Sequence, residues 1–253
     1  FYGIAVKGGI MNADLIIHNG KIHTVDRKNP VAEAAAVKDG KFAAVGREKD
    51  VMAHRGDKTC VIDLKKRTVI PGLNDSHLHL IRGGLNYNLE LRWEGVPSLA
   101  DAMRMLKDQV ARTPAPQWVR VVGGWTEFQF AERRMPTLDE INAVSPDTPV
   151  FILHLYDRAL LNRAAIRAAG YTRDTPNPPG AEIQRDSNGE PTGMLIARPN
   201  ANLPYSALAK GPKLPIEYQV NSTRQFMRDL NRRGLTTAID AGGGCRKPPH
   251  APA

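Results

Sequence analysis

After Pro71 the sequence alternates apolar runs of strand length with stretches of helical period, and few architectures accommodate that rhythm. Ser98 stands as an N-cap with an acid three residues on, and Leu99, Ala102, Met103, Leu106 and Val110 then fall on one stripe of a helix reaching Arg112. WVRVVGGW (118–125) reads as a buried strand, TLDEINAV (137–144) as a capped helix and PVFILHLY (149–156) as a second buried strand. Asn162 caps a short helix that Gly170 ends. A longer helix covers about 216–233 and stops at Gly234, and LTTAID (235–240) reads as a further buried strand. Such alternation predicts a parallel sheet covered by helices, either a closed barrel or an open doubly wound sheet. The glycine-rich dinucleotide fingerprint of the open form is absent, because GGW and GGG lack its spacing.

The stretch before Pro71 has a different texture. DLIIHNG, KIHTVD, EAAAVKDGKFAAVG and TCVIDLKKRTVI are short strands with tight turns, and Asn19-Gly20 and Asp39-Gly40 are hairpin signals because a type I′ turn needs positive φ at its central residues. The expected class is therefore α/β: a β-sandwich-like module over 11–70, then an incomplete (β/α)8 TIM-type barrel over 71–244. Residues 171–214, rich in Pro and Gly, are expected to be a loop-rich insertion with at most one hairpin. Residues 1–10 precede Met11, which looks like a natural start, and read as an extension; 245–253 read as a tail outside the pattern.

Composition removes some function classes. No apolar run approaches the ~18 residues of a membrane span. The formal charge of +9 comes from Lys and Arg that are scattered and not interleaved with aromatics, so no nucleic-acid partner is expected. Cys60 and Cys245 are the two cysteines, far apart and in no C-x-x-C pair, which fits a reducing, cytoplasmic setting.

Chemistry concentrates in TVIPGLNDSHLHL (68–80). Residues two apart on a strand share a face, so His77 and His79 aim their imidazoles side by side while Leu78 faces away. A strand offers two nitrogen ligands to one metal in this way, and the pair stands where catalytic groups of parallel barrels gather, at a C-terminal strand end. Two histidines on a strand also occur as ordinary polar residues. Asp75 shares their parity, so it either orients a ligand or is an inward carboxylate bonded to backbone donors. Trp125 is a pocket wall or a core residue, His154 faces the site or the core, and Asp240 lines the pocket or is structural.

VIPGLNDSHLHL resembles the first-strand metal motif of the amidohydrolase superfamily. ADLIIHNGKIHTVD, NPVAEAAAVKDGKFAAVG and CVIDLKKRTVIPG resemble its N-terminal half-sandwich. VVGGW, MPTLDEINAVSPDTPVFI, NGEPTGML and GLTTAIDAG look like its YtcJ-like, or amidohydrolase 3, branch. The resemblance covers about Ala13 to Gly244. It implies a divalent metal, commonly Zn2+, held by His77 and His79 and activating water against a non-peptide C–N bond of a small-molecule substrate. Where the branch often shows Gly-His, this chain has Tyr156-Asp157.

The family's bridging ligand, later histidines and late aspartate have no counterparts here, His250 lying in a Pro-rich tail, so the catalytic residues stay unassigned. The stretch from Val69 onward is shorter than the ~250 residues of a typical barrel, so about half a barrel, as a truncated chain inactive alone, is expected. The alternative is a non-catalytic binding fragment that closes its open edges by forming a homo-oligomer.

Overall fold

The computed structural model describes residues 11–198 and 201–241; the expected extension, the tail, Cys245 and His250 lie outside them. The chain divides into two compact units. The first runs up to Ser76 and takes in Asn231–Ala238; the second holds His77–Leu230 and resumes at Ile239.

The first unit contains β1 (Leu15–His18), β2 (Lys21–His23), β3 (Val31–Ala32), β4 (Ala34–Lys38), β5 (Lys41–Gly46), helix α1 (Glu48–Met52), β6 (Cys60–Asp63) and β7 (Thr68–Val69). These strands make a four-stranded sheet in the order β5-β4-β1-β6 and a three-stranded sheet in the order β3-β2-β7. Strand alternation explains how both are held. Ile16, Ala34 and Ala36 pack with Val51 of α1. Their neighbours Ile17 and Ala35 point the other way, into a core shared with Ile22, Ala32 and Val69 of the second sheet.

Asp39 and Gly40 have φ of 49° and 72° and join β4 to β5 with Lys38 opposite Lys41, the tight turn their types predict. Asn19-Gly20 differs from expectation. Asn19 has φ 56°, but β1 and β2 belong to different sheets, so the pair turns a corner and closes no hairpin. A Cβ on Gly20 would lie 2.5 Å from Leu64 Cδ1 and 2.8 Å from the Arg67 carbonyl oxygen, so close approach requires the glycine there.

Strand β8 (Leu73–Leu78) leads into α2 (Leu80–Gly84), then β9 (Glu90–Leu91), α3 (Leu99–Arg112), β10 (Val119–Val121), α4 (Leu138–Val144), β11 (Val150–His154), β12 (Arg158–Leu161) and α5 (Arg163–Ala169). The hairpin β13 (Ala181–Arg185) and β14 (Pro191–Ala197), α6 (Asn202–Leu208), α7 (Ile216–Arg232) and β15 (Leu235–Asp240) complete the order. The caps act as their chemistry predicts: Ser98 accepts from the Asp101 N–H, Thr137 and Glu140 form a capping box, and Asn162 accepts from the Ala165 N–H. Gly170 ends α5 at φ 68°.

A six-stranded mixed sheet, ordered β13-β14-β12-β11-β10-β9, dominates the second unit. Its β9, β10 and β11 are parallel, and the remaining pairings are antiparallel. Val119, Val121, Val150 and Ile152 face one core with Leu99, Leu106 and Ile141 of α3 and α4. Trp118, Phe151 and Leu153 face the other, with Ile166 of α5 and Leu203 of α6.

The expectation of one parallel sheet is corrected here. β8 and β15 pair with each other in a sheet of their own, while β10 and β11 belong to the mixed sheet. The Leu73 N–H donates to Gly234 O and the Ala241 N–H to Leu78 O, so partner numbers rise together and the pair runs parallel. The stretch expected as loops with room for one hairpin supplies that hairpin, β13 and β14, which extends the sheet antiparallel to β12, and also the unexpected helix α6. β15, expected to be buried, is half exposed, with Ile239 60% exposed. An apolar run specifies a strand without naming the sheet that will receive it. Among the described residues no helix is long and apolar enough to cross a membrane.

Candidate metal centre

His77 lies on β8, and His79, one residue beyond that strand, is the N-cap of α2 with φ −92° and ψ 69°. Leaving the strand at His79 does not separate the rings. Their centroids are 5.6 Å apart with planes at 78°. Two imidazoles on one tetrahedral zinc, with Zn–N of ~2.0–2.1 Å, place their centroids roughly 5 Å apart, so the observed spacing needs little adjustment. His77 is exposed and His79 partly buried. Among the described residues, Nδ1 of His79 is buried with no hydrogen-bond partner. A buried imidazole nitrogen without a donor or acceptor costs free energy, and an ion would satisfy it. This donor set fits a borderline-soft divalent cation.

Asp240 ends β15, and its Oδ2 accepts from the Ile81 N–H at 2.8 Å. His79 provides no side-chain cap for α2. Asp240 therefore caps the helix that starts at His79, a role set by pairing of strands far apart in sequence. Asp75 is partly buried on β8 and falls in the first unit, whereas both histidines fall in the second. Among the described residues, no group of three or more His, Cys, Asp or Glu side chains is arranged to hold a metal ion.

Trp125 is 1% exposed, with its ring 5.2 Å from Trp93 and 5.6 Å from Phe130, and its Nε1 donates to Leu153 O at 2.9 Å. It is a core residue, and the pocket-wall reading is set aside. His154 is 3% exposed and lies edge-on to Trp125 at 5.3 Å. Its Nε2 is 2.5 Å from Glu127 Oε2 and its Nδ1 is 3.3 Å from Asp157 Oδ1. Burial pushes both carboxyls up. For Glu127, its own backbone N–H and His154 outweigh burial; for Asp157, Arg158 and His154 do so. Both end below the ordinary carboxylate range. Glu127 was not legible as a partner, because it lies 27 residues from His154, in a short 3-10 turn over Glu127–Gln129.

A second polar group sits on the sheet edge. Glu90 on β9 is in register with Arg120 on β10 and pairs with Arg92 Nη2 at 2.7 Å. Burial pushes its carboxyl from 4.5 to about 7, against the pull of Arg92 and Arg120. Gly123, at φ 139°, lies against this group: a Cβ there would be 2.8 Å from Glu94 Oε1 and 3.3 Å from Arg92 Nη1. That accounts for a glycine in GGW. Two clefts of about 510 and 450 Å3 open beside the end of α3 and around Pro116–Trp118, and neither is lined by His77 or His79.

The sequence profile of the amidohydrolase family matches residues 60–251. The chain belongs to that family, in its amidohydrolase 3 branch. It is 33% identical over 196 residues to the N-substituted formamide deformylase of Arthrobacter pascens, covering 77% of this chain and 36% of that protein. It is 31% identical over 223 residues to YtcJ of Bacillus subtilis (strain 168), covering 87% of this chain and 41% of that one. The fold is similar to the crystal structure of an uncharacterized metal-dependent hydrolase from Pyrococcus furiosus, with TM-score 0.52 and 21% identity, covering 88% of this chain and 43% of that one. The chain spans about two fifths of the length of these curated relatives.

Proposed function

We propose that this chain supplies the first metal-binding strand of a metal-dependent hydrolase that opens a non-peptide C–N bond in a small molecule, with His77 and His79 as ligands to zinc. The observation that carries the reading is the pair of imidazoles 5.6 Å apart, one holding a buried, unpartnered nitrogen. A bound ion would polarise a substrate carbonyl and lower the pKa of a bound water towards ~7. The chain's own contribution is to present two imidazoles at the junction of β8 and α2 and to pin the start of α2 through Asp240. The parallel pair β8 and β15 is read as the opening of a barrel, with the mixed sheet as material inserted between its strands. The Arthrobacter relative, named for action on N-substituted formamides, supports an amide-type bond as the target.

Two nitrogens make a weak site, so the chain by itself is expected to hold zinc loosely and to show negligible turnover. Metal analysis after dialysis, with a formamide hydrolysis assay, tests this. Zinc retention that is unchanged in His77→Ala and His79→Ala would overturn the ligand assignment. Stoichiometric zinc with turnover would overturn the expectation of inactivity. A homo-oligomeric, non-catalytic role is the second reading, favoured by the exposure of Ile81, Met227 and Ile239. It predicts a zinc-independent oligomer on size-exclusion chromatography.

A further inference from the structure

Tyr156 lies two residues past the end of β11 and is 59% exposed. The residue before it, Leu155, has φ 48°, a left-handed backbone that a branched side chain seldom adopts and that folds tolerate mostly where function needs it. The Tyr156 ring lies 6.3 Å from that of Tyr205 on α6. The guanidinium of Arg82 stands 5.7 Å from the Tyr205 ring. Arg82 is exposed, and among the described residues no carboxylate pairs with it. It lies three residues after His79 on the helix that His79 starts, a rise of about 4.5 Å.

We propose that Arg82, Tyr156 and Tyr205 form an anion-recognising subsite that selects substrates carrying a carboxylate close to the C–N bond. The cation supplies the charge, and of the two phenols, which hydrogen-bond each other, one keeps its O–H free to donate, a set matched to one carboxylate. Burial, followed by the neighbouring Tyr156, pushes the Tyr205 phenol up, so it remains a donor at neutral pH. Only the link to hydrolysis rests on the proposed function; the binding does not.

The test is an NMR titration of the whole chain with N-formylglycine and with N-formylglycinamide, with and without zinc. The carboxylate is expected to bind about tenfold tighter than the amide, a difference of ~1.4 kcal/mol. Arg82→Gln is expected to abolish that preference, and Arg82→Lys to keep part of it. Tyr156→Phe, at an exposed position where misfolding is not a concern, should reduce it severalfold. Equal affinity for the two ligands, a preference that survives Arg82→Gln, or no response to either ligand would overturn the subsite. A carboxylate preference that persists in protein unable to bind zinc would leave the subsite standing while the metal reading fails.

Discussion

Glu90 should make the stability of this chain fall as pH rises from mildly acid towards neutrality. Its carboxyl is buried beside Arg120, bonds Arg92 at 2.7 Å, and is pushed from 4.5 to about 7, chiefly by burial. A group whose pKa is raised on folding stabilises the native state fully below its unfolded value, and that stability is lost as pH climbs through the folded value. The window is therefore pH 4.5 to about 7, and at ~1.4 kcal/mol per pH unit the loss is about 3 kcal/mol. Against a typical domain stability of ~5–15 kcal/mol this is easily measured. Glu90→Gln keeps the shape and the neutral hydrogen-bonding group but cannot ionise. Urea unfolding at about pH 5, 6, 7 and 8 should show wild type falling relative to the variant, the variant being more stable at the highest pH. Other titrating groups act in both proteins and cancel in the difference. Parallel pH profiles would refute the claim that Glu90 is held near neutrality by its burial.

Three further outcomes follow from the hydrogen bonding and packing. Asn162→Ala removes a fully buried side chain that accepts from the Val150 and Ala165 N–H groups and donates to the Ser145 and Thr148 carbonyls. Loss of the cap and orphaning of buried donors should cost about 3 kcal/mol in urea unfolding, and a cost under ~1 kcal/mol would contradict the bonding described. Asp240→Ala should weaken zinc binding severalfold in chelator competition by freeing the start of α2, while Asp240→Asn, which keeps an acceptor for the Ile81 N–H, should recover most of it. Gly20→Ala should destabilise by about 1–3 kcal/mol because its Cβ would meet Leu64 and the Arg67 carbonyl, whereas Gly46→Ala, with open space around it, should not.

Local chemistry by itself determined four of the helices of this protein and the spacing of its paired histidines, while α1, α2 and α6 were not legible in it. Ser98, Thr137 and Asn162 each accept from an N–H group three residues away, so a cap can be read from a few letters, and the stripe from Leu99 to Val110 follows from helical period alone. The H-x-H spacing was legible for the same reason, since two residues of extended chain bring the rings to one side. What tertiary structure decided is which sheet each strand joins and which groups meet across it. β10 and β15 are both apolar runs, yet one is buried in the mixed sheet and the other pairs with β8. Nothing in the local pattern sets Glu127 against His154 or Asp240 against the Ile81 N–H. Those bonds span 27 and 159 residues, and they depend on strand pairings that the whole chain selects when it chooses which apolar faces to bury.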